Sequence, residues 1–244
     1  YLDIGSGSTK FILVSFVDSQ APTIHIERTP ILFAKNMTAE KKFPEELELK
    51  GLETLKKYAD MAKNEGATLK GAGATAAFRD ADQTYVEALL SKWQKESGWK
   101  IKVLTAKEEA IAGYNAAAML APKYKEVIVW DMGGGSVQVT KKNGEEFVTN
   151  SFPWGAGFVV STLSKNAAKH RNDPAKASAI LKEEFLKEEG IKIWANIPSE
   201  TQVLAIGGVA FGMKKVVESE EDMIDQRGLL TFEQAIRNLS ATQI

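Results

Sequence analysis

Cysteine is absent from the 244 residues, which excludes disulfides, thiol catalysis and a cysteine-ligated zinc site but leaves the compartment open. Histidine is scarce, with two residues. His25 lies in a strand-like alternation and His170 in a polar stretch far along the chain. A histidine metal site or a nucleophile–histidine triad is therefore not expected. No apolar run approaches the ~20 residues that cross a bilayer, and no signal peptide is visible, so no membrane partner is expected. An excess of one charge is missing too: 31 Lys and Arg against 32 Asp and Glu leave a net charge of -1. That balance argues against a nucleic acid held by general electrostatics, and any polyanionic ligand has to be neutralised locally. The sequence opens at Tyr1, almost inside its first strand and without a methionine. An upstream segment is expected, and an exported form stays open.

What is present is 44% hydrophobic residues, enough to bury one large core or two smaller ones. The stretch VIVWDMGGGSVQV, residues 127 to 139, organises the chain. Val127 to Trp130 predict a buried strand with Asp131 at its end, Gly133, Gly134 and Gly135 predict a turn, and Val137 to Thr140 predict a second strand. Three side-chain-free residues allow positive φ and let successive N–H groups point into one anion-binding concavity. Ser136 adds a hydroxyl donor, and Asp131 stands where it can hold a divalent cation beside a phosphate. A glycine hairpin capped by an aspartate reads equally well from this stretch alone. The design recurs, however, in LDIGSGSTKFILV, residues 2 to 14, with Asp3, Gly5, Ser6, Gly7, Ser8 and Thr9. Two such hairpins predict two facing halves, which we place at 1–113 and 114–244.

Between them, residues 2–4, 9–17 and 23–33 predict a three-strand meander, and 34–46 a polar surface loop with solvated charges. Leu52, Leu55, Ala59 and Ala62 keep helical spacing, with Gly66 as a stop. A short strand at 69–74 leads into GATAAFRDAD, read as a loop, followed by a helix with Val86, Leu89, Leu90 and Trp93 on one face and Gly98 past its end. A strand at 100–104 precedes a small-residue helix, AKEEAIAGYNAAAML. Later come an Asn143-Gly144 hairpin, a helix from Asp173 to Gly190, and a strand, Val203 to Ile206. That strand runs into Gly207 and Gly208 and a helix through Val216. A polar segment, 218–228, and a last helix, Thr231 to Leu239, end the chain.

Taken in order, these motifs resemble the exopolyphosphatase and guanosine pentaphosphatase family of the actin-like ATPase superfold. DIGSGSTK (3 to 10) resembles its first phosphate loop, GATAAFRDA (73 to 81) its arginine motif and EEA (108 to 110) its glutamate helix. DMGGGS (131 to 136) resembles its second phosphate loop, SFPWGA (151 to 156) the strand and turn that follow, and IGG (206 to 208) a third glycine turn. The resemblance implies an α/β fold of two similar ribonuclease H-like halves around a cleft. It also implies metal-dependent hydrolysis of the phosphoanhydride bonds of inorganic polyphosphate or guanosine pentaphosphate, a cytoplasmic setting by kinship, and a homodimer as one assembly open to it.

The resemblance further implies site roles. Glu109 matches the general base and Arg79 would contact phosphate oxygens. Asp3 and Asp131 would hold Mg²⁺ or Mn²⁺, and the loops at Gly5 to Ser8, Gly133 to Ser136 and Gly207-Gly208 would donate N–H groups. Lys10 reads as a strand-surface charge and Glu108 as an exposed helix carboxylate. The sequence departs from the family where Ser-Thr-Glu usually follows the glycines, since here Ser136-Val137-Gln138 stands, as in the apyrases, nucleoside di- and triphosphate hydrolases of the same superfold. The chain also stops soon after its last helix, where relatives continue with a further strand and helix. An apyrase-like hydrolase and a binding or sensing module with weak turnover are the alternative readings.

Overall fold

The computed structural model describes residues 1–15, 23–120, 124, 126–156, 183, 187 and 201–208. The chain divides into two units, Tyr1–Glu109 and Ala110–Ile244. The first holds β1 (Leu2–Ile4), β2 (Ser8–Ser15), β3 (Thr23–Pro30), α1 (Glu45–Asn64), β4 (Ala72–Ala74), α2 (Ala76–Asp80), α3 (Gln83–Ser97) and β5 (Ile101–Val103). Its five strands run in the order β3-β2-β1-β4-β5. The first three form the antiparallel meander, and β4 and β5 join it in parallel through helical crossovers.

The α1 helix starts at Glu45, seven residues before Leu52, the first position of its apolar pattern. Pro44 cannot extend a helix backwards, and Glu45, Glu46 and Glu48 oppose the positive end of the helix dipole. It ends at Gly66, whose φ of 65° lets Gly66 N–H donate to Lys63 O at 3.0 Å and Ala67 N–H to Ala62 O at 2.8 Å. The α3 helix is capped by Asp82, which accepts from Tyr85 N–H, and ends at left-handed Gly98. At Gly51 the two helices approach closely: a Cβ there would lie 2.6 Å from the Trp93 ring.

Two expectations are corrected in this unit. Strand pairing stops at Pro30, because Ile31 and Phe33 turn inward to full burial. The following loop is not merely solvated, since Phe43 is buried against Phe33 and Phe78. Phe43 N–H also donates to the Tyr85 hydroxyl, which in turn donates to Glu48 at 2.6 Å. Burial, with Glu48 as a charged acceptor, pushes the Tyr85 phenol up from its ordinary value.

The second unit is a four-stranded sheet in the order β8-β7-β6-β9, built from β6 (Val127–Met132), β7 (Val137–Asn143), β8 (Glu146–Phe152) and β9 (Gln202–Ile206). The helix α4 (Ala106–Leu120) continues into this unit. There Tyr114 and Ala117 pack with Val127, Val129, Leu204 and Ile206 on one face. Ile128, Val139, Phe152 and Trp154 cluster on the other. Trp130 departs from the expected buried run, at 39% exposed. The β7–β8 hairpin turns at Gly144, whose φ is 61°, as Asn143-Gly144 predicts.

The two sheets repeat one plan. In each, an antiparallel meander carries an Asp-containing strand that is joined on its other side by a parallel strand. The predicted helices at 173–190, save residues 183 and 187, at 209–216 and at 231–239, the polar segment and His170 lie outside the described residues. Among the described residues no helix is long and apolar enough to cross a membrane.

Candidate active site

The duplicated hairpins close in the same way. Gly5 N–H donates to Ser8 O at 2.9 Å, and Gly133 N–H donates to Ser136 O at 3.0 Å. The cross-strand partner of Asp3 is Lys10, and that of Asp131 is Gln138. At these matching positions the two halves then diverge. Lys10 Nζ donates to Asp3 Oδ2 at 2.7 Å, so it is the counter-ion of the candidate carboxylate rather than an isolated strand-surface charge. Gln138 is 2% exposed, and its Nε2 donates to Ser136 Oγ at 2.7 Å and to Ser151 Oγ at 3.3 Å.

The first loop is fastened to the element that carries the arginine. Thr75 N–H donates to Ile4 O at 3.1 Å, and Ala77 N–H donates to the buried Ser6 hydroxyl at 3.2 Å. Ser6 therefore serves the start of α2 as well as the loop. Arg79 lies on this short helix, which corrects its assignment to a loop. Its partner is neither Asp80 nor Asp82, the nearest acids in sequence. Arg79 Nη1 donates to Glu109 Oε2 at 2.7 Å and to Leu104 O at 2.9 Å, with about a fifth of each charged side chain exposed.

The adjacent glutamates divide their work. Glu108 Oε2 accepts from Thr105 N–H at 3.0 Å while Glu108 N–H donates to Thr105 Oγ1 at 3.1 Å, a capping box that starts α4. The Lys102 ammonium, and then Thr105, hold its carboxyl down to about 2. Glu108 is thus committed to the helix end and Glu109 to Arg79.

In the second unit the glycine loop is closely approached by another glycine, and its own dihedrals are not left-handed. Positive φ was expected at Gly133, Gly134 or Gly135, yet the left-handed glycines described are Gly66, Gly98, Gly144 and Gly207. What the loop backbone excludes is bulk at Gly155. A Cβ on Gly155 would stand 2.5 Å from the carbonyl carbons of Gly134 and Gly135, and Ala156 N–H donates to Gly133 O at 3.1 Å. Gly155 was overlooked as a site residue, although it sits in the SFPWGA stretch. Asp131 is hemmed in similarly: Cβ atoms on Gly207 and Gly113 would lie 2.8 Å from its Oδ1 and 3.2 Å from its Oδ2. Gly207 needs its glycine twice over, since its φ is 93°. Gly7 and Gly208 have open space where a side chain would project.

Substituting Gly155 with alanine is expected to cost about 1–3 kcal/mol, because the new methyl overpacks backbone that has no rotamer to yield. Urea unfolding followed by circular dichroism should show a lower midpoint at unchanged slope. A wild-type midpoint would show that the hairpin end is not pressed on the loop.

A family model described as the Ppx/GppA phosphatase family matches residues 13–189. The chain belongs to that family. Comparison with curated proteins finds no match. Among solved structures, the Aquifex aeolicus Ppx/GppA phosphatase, type II variant, is 22% identical with a TM-score of 0.69, covering 93% of this chain and 72% of its own. Another A. aeolicus Ppx/GppA structure is 21% identical with a TM-score of 0.70, covering 97% and 86%. An exopolyphosphatase from Cytophaga hutchinsonii is 20% identical with a TM-score of 0.71, covering 88% and 68%. At these identities the likeness is one of fold, and it makes the mixed α/β architecture with two sheets the actin-like two-domain fold of Ppx/GppA proteins.

Proposed function

We propose that this Ppx/GppA member hydrolyses the terminal phosphoanhydride bond of inorganic polyphosphate or of guanosine pentaphosphate. Family membership supports the class of chemistry. The observation that carries the reading is the meeting of Arg79 with Glu109 across 30 positions of sequence, on a helix fastened to the first glycine loop. A phosphoanhydride hydrolase needs a base for water and fixed positive charge on the phosphoryl oxygens. Glu109 takes the proton from a water whose oxygen bonds to the terminal phosphorus. The bond from that phosphorus to the bridging oxygen breaks, the bridging oxygen leaves with the shortened chain, and orthophosphate is released. Arg79 and the loop N–H groups receive the charge on the phosphoryl oxygens.

Mg²⁺ or Mn²⁺ is the proposed cofactor, and the donor chemistry fits. Asp3 and Asp131 each offer hard carboxylate oxygens beside a glycine loop. No group of three His, Cys, Asp or Glu that could cage a metal occurs among the described residues. Mg²⁺ is commonly held by one or two carboxylates together with substrate phosphates, so such a cage is not required. Once bound, the ion would neutralise phosphate charge.

The second reading, an apyrase-like nucleotide hydrolase, is favoured by Gln138 in the position where the family usually has glutamate. A phosphate-release panel separates the readings, with tripolyphosphate, long polyphosphate, guanosine pentaphosphate, ATP and ADP as substrates. The expected result is release from polyphosphate or guanosine pentaphosphate that is lost in EDTA and restored by Mg²⁺ or Mn²⁺. Release confined to ATP and ADP would favour the apyrase-like reading. No release from any substrate would leave a binding or sensing module.

A further inference from the structure

We infer that Gln138 is a positioning residue that fixes the direction of the Ser136 hydroxyl proton, so that Ser136 donates to a phosphate oxygen in the second glycine loop. The inference rests on reading that loop as a phosphate site. Gln138 is 2% exposed and Ser136 9% exposed, so both hold most of their surface away from solvent. Gln138 Nε2 donates to Ser136 Oγ at 2.7 Å, occupying an acceptor lone pair of the hydroxyl. The same nitrogen donates to Ser151 Oγ at 3.3 Å on the neighbouring strand, where Ser151 is the register partner of Gln138. The amide is therefore pinned from two sides with its donors turned to both serines.

A hydroxyl has one proton to give. No described residue accepts that of Ser136, whose recorded side-chain bond is the one it receives from Gln138. A nearly buried donor without an acceptor is costly to keep, and an anionic oxygen in the adjoining loop would satisfy it with a charge-assisted bond. The Gly133 N–H to Ser136 O bond and the packing of Gly155 on Gly134 and Gly135 hold the loop backbone from which that proton projects. Lys10 shows that the arrangement is not imposed by the hairpin plan. At the matching position of the first hairpin it reaches Asp3 instead of a serine.

A glutamate at position 138 would reverse the direction of the bond. A carboxylate only accepts, so Ser136 and Ser151 would both turn their protons toward it, and Ser136 would have none for the ligand. It would also stand beside Asp131, its cross-strand partner, and add negative charge near an anion. A double-mutant cycle separates these two effects.

The test is calorimetric titration, in Mg²⁺, of methylenediphosphonate, whose P–C–P bridge resists hydrolysis, into four proteins: wild type, Gln138→Glu, Ser136→Ala and the double variant. Loss of one charge-assisted bond predicts that Gln138→Glu raises Kd about tenfold in the wild-type background. In the Ser136→Ala background it should raise Kd by less than about threefold, because a proton already absent cannot be redirected. Equal effects in both backgrounds would overturn the inference in favour of simple charge repulsion, leaving the phosphate reading intact. Failure of the wild type to bind would overturn the phosphate reading of the loop, and the inference with it. Gln138→Met removes the donor without adding charge, and carries the same cycle if melting curves show that the glutamate variant does not fold. For Met, a Kd unchanged from wild type would equally overturn the role.

Discussion

Glu109→Gln is expected to lower turnover of tripolyphosphate by about two powers of ten, the usual contribution of a positioned base. Glutamine keeps the shape and one carbonyl oxygen, so it can still accept from Arg79 Nη1, which now meets Glu109 at 2.7 Å. The helix start is untouched, because Glu108 rather than Glu109 closes the capping box with Thr105. What disappears is the carboxylate proposed as the base for water. The effect on affinity has the opposite sign: neutralising a carboxylate removes repulsion of a polyanion and releases Arg79 from its ion pair. KM should therefore stay level or fall while kcat collapses, the pattern of an interaction made in the transition state. Glu108→Gln is the internal control, expected to lower the melting temperature through the weakened cap while leaving kcat near wild type. Steady-state phosphate release measures both variants. A Glu109→Gln kcat within about threefold of wild type would remove Glu109 from the chemistry.

The contrast between Glu108 and Glu109 shows where sequence reasoning reaches its limit. Hairpins were legible because their signals are local: apolar runs, adjacent glycines and a terminal aspartate specify Gly5 to Ser8 and Gly133 to Ser136 without reference to the rest of the chain. The end of α1 at Gly66 and that of α3 at Gly98 were legible for the same reason. Contacts between distant segments were not. Nothing in the periodicity of residues 76–80 says that Arg79 passes over Asp80 and Asp82 to reach Glu109, since that pairing depends on β4 and β5 lying side by side. Phe43 was obscured by lysines and glutamates around it, although one aromatic ring is enough to draw a polar segment into a core. Left-handed backbone is the expectation at Gly133 to Gly135, yet the left-handed glycines described lie elsewhere, and the close approach to this loop is made by Gly155, some twenty residues away and invisible to any local rule.

Arg79→Ala is expected to reduce kcat by about two powers of ten, comparable to loss of an electrostatic donor in other active sites, and to be rescued in part by guanidinium ion. The same nitrogen of Arg79 serves two acceptors, Leu104 O and Glu109 Oε2, so the side chain both ties α2 to the end of β5 and holds the carboxylate. Alanine leaves a space shaped for a planar cation and takes from the Glu109 carboxylate the guanidinium that meets it at 2.7 Å. The consequence for binding is that substrate phosphates meet one positive charge fewer. Arg79→Lys should recover only a fraction of the loss, since an ammonium is a point charge without the fork of a guanidinium. Guanidinium chloride in the low millimolar range, far below denaturing concentration, should raise the alanine variant's rate while the same concentration of sodium chloride does not. Saturable rescue would place a guanidinium in the working site. An alanine variant that melts like wild type, gains nothing from guanidinium and keeps wild-type kcat would reduce the Arg79–Glu109 pair to a structural tie between α2 and α4.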